Sequence, residues 1–242
     1  ITLGNASDGS GGLASNYQLP TLNAANALVT INPKTLTLTL TNSGYSQVYD
    51  GDAAADITPA WSFNGFISGD TSATIAYTGR NYNTANVTSA NLITVSGLSI
   101  TSVAGSNSSA PEDYVLDSTT KTANATITPK TVSLAVAPKV YDASTDMTGY
   151  VSITTGVGGE TLTYNGATSN DAHVATAGKY LNAITLGNAS DGSGGLASNY
   201  QLPTLNVANA PISITPKTVS LAVAPKVYDA STDMTGYVSI TT

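Results

Sequence analysis

Residues Ile127–Thr155 read ITPKTVSLAVAPKVYDASTDMTGYVSITT, and Ile214–Thr242 repeat them letter for letter. Within this stretch Thr131-Val132-Ser133-Leu134-Ala135-Val136 alternates polar and apolar side chains. Thr35-Leu36-Thr37-Leu38-Thr39-Leu40 alternates just as strictly. A period of two places hydroxyls on one face and aliphatic groups on the other, which is the pattern of a half-buried strand.

The copying extends further. Residues Ile1–Ala27 match Ile184–Ala210 with one change, Ala24 for Val207. Asn32-Pro33-Lys34-Thr35 echoes Thr128-Pro129-Lys130-Thr131 and Thr215-Pro216-Lys217-Thr218. Taking each proline as a start divides the chain into four pieces: the C-terminal part of a preceding module (1–32), two complete modules (33–128 and 129–215), and the N-terminal part of a following one (216–242). The chain reads as a slice of a longer tandem array, whose function is met by copies.

In the second module further strands are expected at Tyr150–Thr154, Thr161–Tyr164, His173–Thr176, Lys179–Leu186, Tyr200–Leu202 and Ile212–Thr215. Asn165-Gly166 and Asn64-Gly65 carry the signal of tight hairpins, because a type I′ turn needs two residues at positive φ. No stretch combines a 3.6-residue period with caps. About seven short strands in roughly 90 residues point to an all-β chain of immunoglobulin-like sandwich modules. A β-grasp-like roll is the alternative, weakened by the missing helix. At Ile212–Leu221 a last strand runs into a first strand with no Gly/Ser spacer, and Pro216 lacks the N–H that would continue a ladder. A short stiff hinge and an elongated array follow as expectations.

Composition excludes several function classes. Charged residues make up 10% of the chain, against about 25% in an ordinary domain. Fifteen acids against eight bases give a net charge of −7, so the clustered basic surface that nucleic acid requires is missing. There is no Cys, which removes disulfides and thiolate metal sites. No run approaches the roughly 18 apolar residues of a membrane-spanning helix.

Catalytic constellations are lacking too. Glu112 and Glu160, the two glutamates, fall in different modules and make no acid–base pair. His173 is the single histidine and has no second ligand or triad partner beside it. No nucleophile elbow or phosphate-binding loop appears. No catalytic residue and no cofactor is expected.

Three stretches share a motif. Val48-Tyr49-Asp50-Gly51, Val140-Tyr141-Asp142-Ala143 and Val227-Tyr228-Asp229-Ala230 each follow a first strand. Asn16-Tyr17-Gln18-Leu19, Asp113-Tyr114-Val115-Leu116 and Asn199-Tyr200-Gln201-Leu202 each precede a closing strand. This ordered set resembles the YDG and MBG repeat modules of very large bacterial surface exoproteins, including filamentous-haemagglutinin-type adhesins. Ala143 and Ala230 depart from it where the family has Gly. The resemblance implies an extracellular chain, on the bacterial cell surface or secreted, with a stalk-forming or adhesive role and no catalysis. It supplies no ligand.

Each Tyr-Asp pair is either a ligand site repeated along the array or a packed ring with an Asp that caps a turn, and the second needs only local chemistry. A calcium ion is the one cofactor to weigh. Asp142 and Asp146, their copies Asp229 and Asp233, and Asp191 beside Asn188 and Ser190 offer hard oxygens, without the EF-hand spacing. Trp61 and Phe63 lie on one face of a strand, as a core element or as a strip on which a glycan stacks. Lys139, Glu160 and several Asn are available for a Lys–Asn isopeptide crosslink, but no sequence mark singles them out. The expected partners are neighbouring modules of the same chain. A glycan, a matrix component, or other copies joined into filaments by strand addition are the alternatives.

Overall fold

The structure is a computed structural model that describes residues 1–241. Thr242, the last residue of the 216–242 segment, lies outside the described residues. The chain is all-β, built from short strands in several small sheets with three single-turn 3-10 segments at Ala14–Asn16, Pro111–Asp113 and Ala197–Asn199. Among the described residues no helix is long and apolar enough to cross a membrane. Two compact units divide the chain: Ile1–Thr39 with Ser62–Ala76 and Leu98–Thr119, and Leu40–Trp61 with Tyr77–Gly97 and Thr120–Thr242.

In the first unit the strand Lys34–Leu40 realises the alternation read from its sequence. Leu36, Leu38 and Leu40 are buried and the threonines between them are exposed. The strand pairs in parallel with Tyr114–Leu116, Lys34 opposite Tyr114. Burying three leucines on one side contributes roughly 1.5–3 kcal/mol each before chain entropy is counted. An antiparallel ribbon joins Asp70–Ala76 to Ser99–Gly105 and is bulged near Asp70.

The second unit holds a mixed four-stranded sheet in the order Tyr45–Val48, Thr120–Thr128, Leu92–Ser96, Gly79–Tyr82. Its core elsewhere gathers Met147, Val151, Ala167, Leu181, Ile184, Ala210, Ile212 and Ile214. Parallel pairing ties early strands to late ones. Tyr45–Val48 runs beside Ala125–Thr128, and Lys139–Val140 beside Ile214–Thr215. Lys130–Thr131 runs beside Tyr200–Gln201, in the register that Lys34–Thr35 keeps with Tyr114–Val115. Only Pro129 separates the strand ending at Thr128 from the one starting at Lys130.

Three local expectations are corrected. Asn165-Gly166 makes no hairpin. Both residues lie inside the strand Thr163–Ser169, where the register with Leu181–Gly187 shifts. Gly166 has φ of +63°, and a bulge uses a left-handed glycine as readily as a turn does. Asn64-Gly65 ends the strand Trp61–Asn64 without folding it back, because the next strand, Asp70–Ala76, pairs with Ser99–Gly105 instead. His173–Thr176 forms no strand. Asp171 accepts the His173 amide at 2.6 Å, and the buried Lys179 ammonium draws in the carbonyls of Val174 and Thr176. Carbonyls committed to an ammonium cannot also serve a ladder.

The Tyr-Asp loops share one design. Lys139 is buried and its Nζ donates to the carbonyls of Ser144 (3.0 Å) and Asp146 (2.7 Å) and pairs with Asp142 at 2.9 Å. Lys226 does the same with Ser231, Asp233 and Asp229. At the matching place Gln47 donates to Asp50 at 2.9 Å and to the Ala54 carbonyl at 3.2 Å. Lys139 is thus committed to carbonyls, and its amine is not aimed at a crosslinking asparagine.

After each Asp the chain turns left-handed, with φ of +102° at Gly51, +65° at Ala143 and +60° at Ala230. A β-carbon in that region costs roughly 1–2 kcal/mol. Ala143→Gly is therefore expected to raise the urea midpoint of unfolding by the equivalent of about 1 kcal/mol. Ala143→Val is expected to lower it.

Candidate functional site

Tyr49 stands at the end of the strand Tyr45–Val48, and its amide continues the parallel pairing by donating to the Thr128 carbonyl at 2.9 Å. Asp50 next to it accepts the Asp52 amide (3.2 Å) and the Gln47 amide group (2.9 Å). Its carboxylate is spent on the loop. The ring of Tyr49 is directed elsewhere. It meets the ring of Tyr200 edge-on, with centroids 5.4 Å apart and planes at 82°, a geometry that sets a ring's positive edge against the other's π face.

Between the two hydroxyls lies Glu160. Tyr49 donates to its Oε1 at 2.6 Å, and Tyr200 donates to its Oε2 at 2.7 Å. Tyr49 belongs to the first sequence repeat, and Glu160 and Tyr200 to the second. One carboxylate thus ties segments 111 and 40 residues away in sequence, and all three residues lie in the second compact unit. Tyr49 is 3% exposed and Tyr200 5%. Short bonds from neutral hydroxyls to an ion are among the stronger ones, worth roughly 1.5–3 kcal/mol each.

Neighbouring residues fix this geometry. The Glu160 loop is tied by Thr155, whose hydroxyl donates to the carbonyls of Val157 (3.2 Å) and Glu160 (3.0 Å). The next residue, Thr161, receives the Gly187–Gly195 loop. Its amide donates to Ser193 at 2.9 Å, and its hydroxyl donates to Asp191. Gly195 passes so close to the Thr161 carbonyl that no side chain would fit. Beside Tyr200, the buried Asn199 accepts the Val87 amide at 3.0 Å and donates to Asn86 at 3.1 Å. Gly51 closes the contact: a β-carbon there would lie 2.6 Å from Val157 Cγ1.

Burial first, then the bond to Glu160, pushes the Tyr49 phenol up to about 12. The same causes push Tyr200 up. The folded chain keeps protons that the unfolded chain begins to lose near 10. Stability from these phenols is therefore fully present below that pH and lost as pH rises through the folded values.

A related pair stands in the first unit. Tyr114, which occupies the register position of Tyr200, donates to Asp70 Oδ2 at 2.6 Å and accepts the Ile67 amide at 3.1 Å. Ser109 (2.7 Å) and Asn107 (3.0 Å) fill the rest of the Asp70 carboxylate. The Tyr114 bond is the largest influence holding that carboxyl below its ordinary value.

The other sequence candidates are placed as follows. Tyr141 is half-buried, and its ring is stacked on His173 with centroids 6.4 Å apart. Tyr228 and Tyr17 are exposed. Asp142 and Asp229 accept the amides of Ser144 and Ser231 at 3.0 Å, beside their lysines. Asp146 and Asp233 hold Thr148 and Thr235. The Lys139 ammonium, then the Ser144 amide, holds the Asp142 carboxyl below its ordinary value, and hydroxyl and amide donors do the same for Asp146, Asp191 and Asp233. Among the described residues no three His, Cys, Asp or Glu side chains converge as metal ligands. Trp61 and Phe63 are both half-buried; in the first unit Phe63 leans on Phe66, and Phe66 meets Tyr114 edge-on at 5.5 Å.

Sequence reasoning missed Glu160, Asn86 and Asp70 as partners of the motif tyrosines. A signal for Glu160 was present, since it is one of two glutamates in the chain and sits in the loop Gly156-Val157-Gly158-Gly159-Glu160.

Residues 32–123 match the YDG domain family, and a YDG domain is found there. No curated protein and no solved structure matches the chain.

Three measurements test the cluster. Tyr49→Phe is expected to cost about 1.5–3 kcal/mol of stability, because it leaves one oxygen of a shielded carboxylate without its donor. Gly51→Ala is expected to cost a similar amount through strain and the clash with Val157. In a series of thermal melts, the wild-type chain is expected to lose stability steeply between pH 10 and about 12. The Tyr49→Phe chain is expected to lose less over that range.

Proposed function

We propose that this chain is a run of structural repeats, a stalk or spacer in a bacterial cell-surface or secreted adhesin that projects an adhesive tip. The observation that carries the reading is the carboxylate of Glu160, bonded at 2.6 and 2.7 Å by tyrosines of two successive repeats. A carboxylate whose two oxygens are each filled by a buried phenol tolerates little rotation between the groups that fill them. With only Pro129 between the flanking strands, each repeat would hold a set angle to the next. That is what a spacer requires. Mechanically, the array works as a sum of repeats and nearest-neighbour joints.

In this reading the repeats are immunoglobulin-like modules in an elongated array outside the cell, and no catalytic step enters. The YDG domain at residues 32–123 and the low charge of the chain fit a solvated extracellular rod. Self-association into filaments is a second reading with its own support. Tyr200 and Ile214 are buried, while their sequence counterparts Tyr17 (68% exposed) and Ile31 (90%) are open. Exposed apolar side chains on a segment that lies in no strand are open to pairing with another chain by strand addition.

Small-angle X-ray scattering on chains of two, three and four complete repeats tests the stalk. Each repeat has an expected radius of gyration near ~12 Å. The maximum dimension is expected to grow linearly with repeat number, and Glu160→Ala to shorten it by freeing the joint. A particle that stays compact as repeats are added would overturn the reading. Growth of mass with concentration in the 242-residue chain would favour filaments.

A further inference from the structure

The second repeat carries its own Tyr-Asp loop, and beside it lies a cavity of about 530 Å³ lined by Tyr141, Asp142, Ala143, Val174, Pro216, Lys217 and Val219. All but Val174 correspond in sequence to residues of the first site: Tyr49, Asp50, Gly51, Pro129, Lys130 and Val132. The backbone is in the same place as well. Tyr141 donates its amide to Thr215 at 2.9 Å, as Tyr49 does to Thr128. At the first site the surface is covered. Val132 is 2% exposed, Lys130–Thr131 is paired with Tyr200–Gln201, and the Val157–Glu160 loop closes over Tyr49 and Gly51. At the second site Val219 is 43% exposed, and Lys217–Thr218 lies in no strand.

We infer that the Tyr141–Ala143 cavity is a docking site for a third repeat that begins with the 216–242 segment, with Tyr141 donating to the glutamate at that repeat's Glu160 position. The occupant is specified by the first joint. It brings a carboxylate on a glycine-rich loop for the tyrosine hydroxyl. It also brings a Tyr-Gln strand to pair in parallel with Lys217–Thr218. Ala143 adds a selectivity that Gly51 lacks. A β-carbon at Gly51 would fall 2.6 Å from Val157 Cγ1, so the second site favours a repeat with a smaller residue at the Val157 position. This inference rests on the reading of the Tyr49 cluster as the joint between repeats.

The test extends the 242-residue chain with a copy of residues 156–215, which completes the third repeat. Two versions are made, with Val or with Ala at the Val157 position of the copy. In each, a double-mutant cycle combines Tyr141→Phe with Glu→Gln at the copied Glu160 position, and unfolding equilibria are measured. The expected result is a coupling of about tenfold in the equilibrium constant, larger in the Ala version. In the unextended chain Tyr141→Phe is expected to change that constant by less than about twofold. The Tyr49→Phe, Glu160→Gln cycle in the same protein is the control. Coupling there with none at Tyr141 in either version would overturn the inference and leave the first joint standing. Absence of coupling at both would overturn the joint itself.

Discussion

The arrangement in the second unit depends on one group, the half-buried Glu160 carboxylate, being held between two buried tyrosines. A shielded carboxylate is costly unless each oxygen finds a donor. Here the donors are two phenols that lie 111 residues before and 40 residues after the acid. That need makes demands in several directions. The strand Tyr45–Val48 must run parallel to Ala125–Thr128 so that Tyr49 emerges at the right end. The chain must turn left-handed at Gly51 without a side chain. The Glu160 loop must be held, which Thr155 and the Ser193–Asp191 contacts to Thr161 do. The polar Gly187–Gly195 segment, unremarkable as composition, is the brace of that loop.

The Asp70–Tyr114 pair shows what the longer acid adds. Asp70 sits on the ribbon itself, opposite Gly105, and its oxygens are taken by Tyr114, Ser109 and Asn107 of its own unit. Glu160 stands on a loop, with one more methylene, and gives one oxygen to Tyr200 and the other to the distant Tyr49. The same tyrosine partner therefore serves a local anchor in one case and a long-range tie in the other. The difference is set by side-chain length and by how many local donors surround the acid.

Much of the architecture was legible because it is local. Alternation at Thr35–Leu40 and Ser133–Val136 states which side chains go inward, and the copies state where the pattern restarts. The Tyr-Asp loops could be read as turns because an Asp carboxylate two residues before an amide is a sufficient local cause. What was not legible depends on pairing across long sequence separations. Nothing in the period of Lys130–Thr131 says that its neighbour is Tyr200–Gln201, or that the pair is parallel. Asn165-Gly166 supplies a left-handed glycine, but whether a hairpin or a bulge uses it is decided by the partner strand. His173–Thr176 has the composition of a strand and loses its carbonyls to Lys179. Glu160 looked like an isolated acid because its two partners lie 111 and 40 residues away.

The identical stretches 127–155 and 214–242 separate what sequence encodes from what context adds. Ser220–Val223 pairs with Val238–Thr241 in the register that Ser133–Val136 keeps with Val151–Thr154. The Lys226 clamp copies the Lys139 clamp bond for bond. Yet Met147 is fully buried and Met234 is not, and Val151 is buried where Val238 is exposed. The opening half of a repeat thus carries its own local form and leaves its apolar face for the closing half to cover. Local form is shared by every copy, so it cannot distinguish one neighbour from another. Differences between repeats at the joint can. Gly51 faces Val157, whereas Ala143 and Ala230 present a methyl at the same place, and Gln47 stands where the other loops have lysine. If the copies are joined as proposed, preference for one neighbour over another has to be written at those few positions.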